Sequence, residues 1–157
     1  MTDDDTITFR LAVPGDLDAI VALLVDDALG AVREHPGTPA AVCYVEAFDD
    51  MHANPNQDLM VVDDGGTVAG YLELSFVRGL SRKGMLRAQI ESVRIAGHLR
   101  GRGVGKRFFE TAIERARTRG AAMIQLTTDK TRPDALRFYE QLGFTASHEG
   151  MKLSLRD

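Results

Sequence analysis

Residues 99–107 read Leu-Arg-Gly-Arg-Gly-Val-Gly-Lys-Arg, so Gly101, Gly103 and Gly105 stand among Arg100, Arg102, Lys106 and Arg107. The stretch before it, 87–95, reads as a strand, and 104–119 reads as a helix. Glycines at such a junction let backbone approach a ligand, because no Cβ intervenes. The first N–H groups of a helix lack internal partners, and the helix dipole adds positive potential there. Cationic side chains at the same place make this a phosphate-binding junction. A Walker loop, G-x-x-x-x-G-K-[ST], does not fit: its first glycine would fall on Arg100 and its hydroxyl residue on Arg107. A dinucleotide fingerprint, G-x-G-x-x-G, fails at its last glycine, which is Lys106.

A third pattern, Arg/Gln-x-x-Gly-x-Gly/Ala, is matched in full by Arg100, Gly103 and Gly105. Here the sequence resembles the GNAT superfamily of acyl-CoA-dependent N-acetyltransferases, in which this loop holds the pyrophosphate of coenzyme A. A second motif follows at the family's distance. Its late helix reads Ala-x-x-Phe/Leu-Tyr-x-x-x-Gly-Phe, and Ala135, Phe138, Tyr139, Gly143 and Phe144 fit it. Together the two motifs cover about Gln89 to Phe144. One residue departs from the pattern: seven positions before the tyrosine, many members carry Asn where this chain has Arg132.

The resemblance implies acetyl transfer from acetyl-CoA, as cosubstrate, to a primary amine by direct attack in a ternary complex. An amine of lysine type is protonated at neutral pH, with a reference pKa of ~10.4, so a base or a relayed water helps expose the nucleophile. Attack puts negative charge on the thioester oxygen, which backbone N–H groups stabilise. The leaving thiolate then takes a proton. Carried over by the resemblance, Val93 and Ile95 offer backbone hydrogen bonds to the pantetheine arm. Arg100, Gly101, Arg102, Gly103, Val104 and Gly105 surround the pyrophosphate, and Lys106 and Arg107 are candidates for its charge or else solvated cations. Arg132 could reach phosphate or the acceptor. Tyr139 matches the tyrosine that serves as general acid. Glu91 is the candidate base, through water, on a strand face expected to include Val93. In some members the base lies two residues earlier, which here is Gln89, and Gln cannot do that work. Glu73 is a reserve, and His98 reads as a surface residue.

Other elements must position these groups. Residues 7–11 alternate as a half-buried strand. Asp16 reads as the N-cap of a helix with apolar positions Leu17, Ile20, Val21, Leu24 and Ala28. Thr38 and Pro39 read as the cap and first residue of a second helix whose inner face is Ala41, Val45 and Phe48. Tyr44, Phe48 and Met51 are either core or the lining of an apolar acceptor pocket, a region that varies in the family. Residues 59–62 and 67–77 make a hairpin turning at Asp64-Gly65-Gly66, with Leu72, Leu74 and Phe76 on one face and Tyr71, Glu73 and Ser75 on the other. Gly70 marks a bulge or a close backbone approach. The strand at 123–127 completes a βαβ unit, so it should run parallel to 87–95. Residues 133–142 form a helix, and 144–147 with 151–155 a final antiparallel pair.

The fold class expected is α+β: a GNAT-like mixed, mostly antiparallel sheet with two parallel, splayed central strands and helices on both sides. A chain of 157 residues makes one domain, 1–157, with 1–6 as an acidic mobile leader. A net charge of −4 argues against a general nucleic-acid binder. Cys43 is the single cysteine, which excludes an internal disulfide and a cysteine-rich zinc site, so no metal is expected. No apolar run approaches a membrane span, and a cytoplasmic protein is expected. The partners expected are acetyl-CoA and an amine acceptor, a small molecule by preference, with neither nucleic acid nor membrane; a homodimer is common in the family. The rival reading is a non-catalytic acyl-CoA-binding sensor or regulatory module.

Overall fold

The computed structural model describes residues 6–28 and 30–155. Its five strands are β1 (Ile7–Leu11), β2 (Gln57–Asp64), β3 (Thr67–Arg78), β4 (Leu86–Ile95) and β5 (Met123–Leu126). They form one sheet in the order β1-β2-β3-β4-β5. The first three pairings are antiparallel and β4–β5 is parallel. The helices are α1 (Leu17–Val25), α2 (Gly30–Arg33), α3 (Val42–Ala53), α4 (Ser81–Gly84), α5 (Val104–Thr118) and α6 (Pro133–Gln141). The mixed sheet with helices on both faces is the α+β class expected. Among the described residues no helix is long and apolar enough to cross a membrane.

Two cores flank the sheet. On one face α5 lays Val104, Phe108, Phe109, Ala112 and Ala116 against Leu72, Leu74, Phe76, Ala88 and Ile90. On the other, Ile20 and Phe48 of α1 and α3 pack on Leu59, Val61 and Tyr71. Burying each large side chain contributes roughly 1.5–3 kcal/mol. Both faces of β3 are therefore covered, which explains why Tyr71 is buried as well as Leu72, Leu74 and Phe76, with Glu73 and Ser75 half-buried. Arg10 joins Asp16 and Asp63 at 2.7 Å each and ties β1 to the start of α1 and to β2.

Two irregularities shape the sheet. Val62 pairs with Gly70 but Asp63 with Val68, so Ala69 is an extra residue. A Cβ on Gly70 would lie 2.5 Å from Val62 Cγ2, so the bulge and the close approach expected of this glycine coincide. In β4, Glu91 pairs with Glu73 but Arg94 with Tyr71, so Ser92 and Val93 together oppose Leu72. Ser92 adopts φ 56°, a left-handed conformation unusual outside glycine. This bulge shifts the alternation by one residue. Val93 and Ile95 pack toward the α5 core, whereas Arg94 joins Glu91 on the Tyr71–Glu73 face. The common face expected for Gln89, Glu91, Val93 and Ile95 is thus broken at Ser92.

Other boundaries differ for local reasons. Asp16 precedes α1 with a helical backbone (φ −84°, ψ −13°) and makes no side-chain cap bond to it; its carboxylate instead accepts the N–H of Val13 at 2.8 Å and closes the 3-10 turn Pro14–Asp16. The second long helix begins at Val42, not at Pro39, because Ala40 N–H is held by Asp18 Oδ1 at 2.7 Å and Ala41 is still extended. The short α2 was not signalled by the sequence. In α4, Arg82 and Lys83 are left-handed. Most of the expected leader, residues 1–5, lies outside the described residues; Thr6 is tied down by a 2.8 Å bond from its hydroxyl to Asp64. The final antiparallel pair does not form: no described residue after β5 is in a strand. β5 offers an edge only four residues long, and Met151, Leu153 and Leu155 stand 94%, 85% and 91% exposed. The parallel pair therefore lies at the sheet edge.

Candidate active site

The phosphate-loop candidate connects β4 to α5. Gly101 and Gly103 are left-handed, at φ 75° and 77°, and a Cβ on either would meet nothing within 4 Å. They are glycines for their backbone conformation, and they leave the loop surface open. Gly103 is the N-cap of α5, and no side chain caps that helix. The N–H groups of Val104, Gly105 and Lys106 therefore face outward without an intrahelical acceptor. Val104 contributes only backbone there, since its side chain is fully buried. Arg100 curls back so that Nε donates to Ile95 O at 3.0 Å. Lys106 is exposed and lies 3.9 Å from Glu110. Arg107 stacks over Phe9, 5.5 Å from the ring centroid. An uncapped, glycine-edged helix start flanked by exposed cations suits a diphosphate.

Parallel pairing stops at Ile90–Leu126. β5 ends there while β4 runs on, and a cleft of about 190 Å³ opens between 90–94 of β4 and the chain from Leu126 to Asp129, closed by Arg132, Ala135 and Tyr139 of the α6 region. Tyr139 is half-buried and wedged among Phe109, Phe138 and Phe144, with ring centroids 5.5–6.1 Å away. Burial raises its hydroxyl above the usual range, against the opposing charges of Arg132 and Arg94. Glu91 lines the same cleft and is exposed. Gln89 is engaged by Gln125 Nε2 at 2.7 Å. Glu73, across from Glu91, accepts the Tyr71 hydroxyl at 3.2 Å and is also bonded by Ser92. Burial raises the Glu73 carboxyl above its ordinary range, and nearby Glu91 adds to this.

The two sequence motifs thus converge on one edge of the sheet. A model of the acetyltransferase (GNAT) family matches residues 20–144. The chain belongs to the GNAT acetyltransferase family. It is 28% identical to the streptothricin acetyltransferase of Streptomyces lavendulae, over 91% of this chain and 84% of that one. It is 30% identical to the aminoalkylphosphonate N-acetyltransferase of Salmonella typhimurium, over 66% and 69%. The crystal structure of a transcriptional regulator from Bacillus halodurans C-125 superimposes with a TM-score of 0.92 at 48% identity, covering 95% of this chain and 99% of that one. Family membership and the two acetyltransferase relatives support acetyl transfer to an amine as the activity class, and acetyl-CoA is the cosubstrate the family uses.

In this GNAT chain the structure also places residues the motifs did not single out. Arg94 and Arg33 line the cleft beside Arg132. Asp27, just past α1, accepts Arg132 Nη2 on both oxygens at 2.9 Å and lies 3.6 Å from Arg94 Nη2. Burial alone would raise Asp27; the hydrogen bond from Arg132 and the charges of Arg94 and Arg132 outweigh it and hold the carboxyl low. Arg94 was hidden because strict alternation would have turned it to the opposite face. Tyr44, Phe48 and Met51 do not line this cleft. Phe48 and Met51 belong to the second core, and the Tyr44 hydroxyl bonds Glu34 and the N–H of His35, each at 2.8 Å. His98 lies at the surface, 3.4 Å from Asp64. A larger cleft of about 300 Å³ lies elsewhere, around His52, Asp58 and Arg119. Among the described residues no cluster of His, Cys, Asp or Glu could hold a metal.

Proposed function

We propose that this chain is an N-acetyltransferase that moves the acetyl group of acetyl-CoA to the primary amine of a small molecule, in a single ternary complex. The observation that supports it most is the cleft: Tyr139 and Glu91 line one opening beyond the end of β5, and Glu91 is on the strand that leads into an uncapped α5. Acetyl-CoA supplies the acyl group activated as a thioester. The N–H groups of 104–106, with Arg100, Gly101, Arg102 and Lys106, hold its pyrophosphate, and β4 offers its arm the N–H groups of Val93 and Ile95, whose carbonyls already accept Arg94 Nη1 and Arg100 Nε. Glu91 takes the amine proton through water as the new C–N bond forms. Tyr139 gives its hydroxyl proton to the departing sulfur as the C–S bond breaks, and its burial keeps that proton on until then. Cys43 is exposed on α3, outside both motifs and not among the residues lining the cleft, which favours direct attack over an acyl-enzyme. A cleft of about 190 Å³ is below the usual 300–1,000 Å³ of ligand pockets, which favours a small acceptor. A single domain working in the cytoplasm, with or without a second copy, is part of the same proposal.

A second reading, a regulatory module that binds acyl-CoA without turnover, draws support from the 48% identical protein described as a transcriptional regulator. Calorimetric titration with acetyl-CoA, then a thiol-release assay across an amine panel, separates the two. Amine-dependent thiol release establishes the transferase; binding with no release from any amine favours the module; no binding at millimolar ligand removes both. In the transferase, Tyr139→Phe lowers kcat by about 10²-fold or more, the worth of a positioned acid, with acetyl-CoA affinity unchanged.

A further inference from the structure

We infer that the acceptor amine also carries an oxyanion, a carboxylate or a phosphate ester, which Arg94 and Arg132 grip inside the cleft; this rests on the transferase reading above. Three guanidiniums, from Arg33, Arg94 and Arg132, line one small opening. One carboxylate, Asp27, is shared by two of them. Arg94 donates through Nη1 to Val93 O at 2.8 Å, yet its Nε–H is buried with no partner among the described residues. A buried donor left unpaired is costly, and the cost vanishes when an acceptor arrives. Burial pulls Arg94 below the usual guanidinium range; Arg132 and Arg33 add to this and Asp27 opposes it. Lys152 lines the opening too, against Glu91 and Asp129, but none of these carboxylates bonds Arg94 Nε; an incoming oxyanion would, and the planar guanidinium fork suits carboxylate and phosphate alike.

The rest of the cleft fits the other end of such a molecule. Glu91 lies on the same strand and, after the Ser92 bulge, on the same face as Arg94. Their β3 partners, Glu73 and Tyr71, are two residues apart, so the positions are separated by roughly 7 Å. Asp129 lines the opening as well. An amine held toward Glu91 and an oxyanion held by Arg94 therefore belong to one short zwitterionic molecule. Were the arginines only structural, replacing Arg94 would leave acceptor choice untouched.

The test uses matched amines with saturating acetyl-CoA: β-alanine against β-alaninamide, and O-phosphoethanolamine against 2-methoxyethylamine. The anionic member is expected to have the higher kcat/KM by about tenfold or more, the worth of one charge-assisted hydrogen bond. The two pairs tell carboxylate from phosphate. Arg94→Met is expected to erase the preference by raising the acceptor KM while the acetyl-CoA KM holds, and Arg94→Lys to restore part of it. Arg132→Gln repeats the test should Arg94→Met melt early. Equal use of neutral partners, or a preference that survives both Arg94→Met and Arg132→Gln, overturns the inference. So does acetyl-CoA binding with no transfer to any of the four amines, an outcome that leaves the transferase open to other acceptors. Failure to bind acetyl-CoA at all is seen separately by calorimetry and removes the reading beneath.

Discussion

Alanine at Gly103, the N-cap of α5, and at Gly105, in its first turn, should move stability in opposite directions. Gly103 sits at φ 77° with open space around its missing Cβ. Alanine there meets no neighbour, so its cost is purely the left-handed backbone, about 1–2 kcal/mol. Gly105 is helical, and a Cβ would lie 3.8 Å from Phe138 Cζ and 3.9 Å from Ile95 Cγ1, ordinary contact distances. Alanine there removes unfolded-state freedom and contributes about 0.4–1 kcal/mol of stability. For a chain of this size 1 kcal/mol shifts Tm by roughly 2–4 °C. Gly103→Ala should thus melt about 2–8 °C lower and Gly105→Ala about 1–4 °C higher, by differential scanning calorimetry. Acetyl-CoA at a hundredfold its Kd adds about 2.7 kcal/mol to the native state. Gly105→Ala should keep that increment and Gly103→Ala should lose part of it. Shifts of the same sign, or an unchanged Tm for Gly103→Ala, would refute the account of this loop.

Gly70→Ala should destabilise by about 1–3 kcal/mol, because its Cβ would press on the buried, β-branched Val62 at 2.5 Å; a guanidinium or urea melt with an unchanged midpoint would contradict this. Glu73→Gln bears on pH. Burial raises the Glu73 carboxyl in the fold, so the native state binds that proton more tightly than the unfolded chain. Its stability contribution is complete below the ordinary value of ~4.3 and is lost as pH rises through the raised one. The Gln variant should therefore be more stable than the parent at pH 7 and indistinguishable from it near pH 4, read by melting at both. Asp58→Ala removes the partner of Arg115 at 2.6 Å and Arg119 at 3.2 Å. Both arginines are about one-third exposed, so water offsets some of the loss, and a cost of roughly 1–3 kcal/mol is expected in the same melts.

The sequence by itself determined the strand–helix–strand order of the βαβ unit, the glycine-edged start of α5 and the helix that carries Phe138 and Tyr139. These are local. Left-handed Gly101 and Gly103, the four-residue spacing of Val104, Phe108, Ala112 and Ala116, and the Phe138-Tyr139 pair are set by residues near in the chain, so their types and spacing reveal them. Family resemblance rested on the same local patterns. What the tertiary structure alone decided depends on partners far apart. The Ser92 bulge, which sends Val93 toward α5 and Arg94 toward Asp27, arises from the register of β3 against β4 and from the bond between Ser92 and Glu73, none of which is written in the alternation of β4. The start of α3 at Val42 depends on Asp18 holding Ala40, 22 residues away. Met151, Leu153 and Leu155 carry a strand's alternation, yet a strand needs an edge to pair with, and β5 is only four residues long. Arg132 meets Asp27 across 105 residues, so its place beside Arg94 emerged only when the chain closed the cleft.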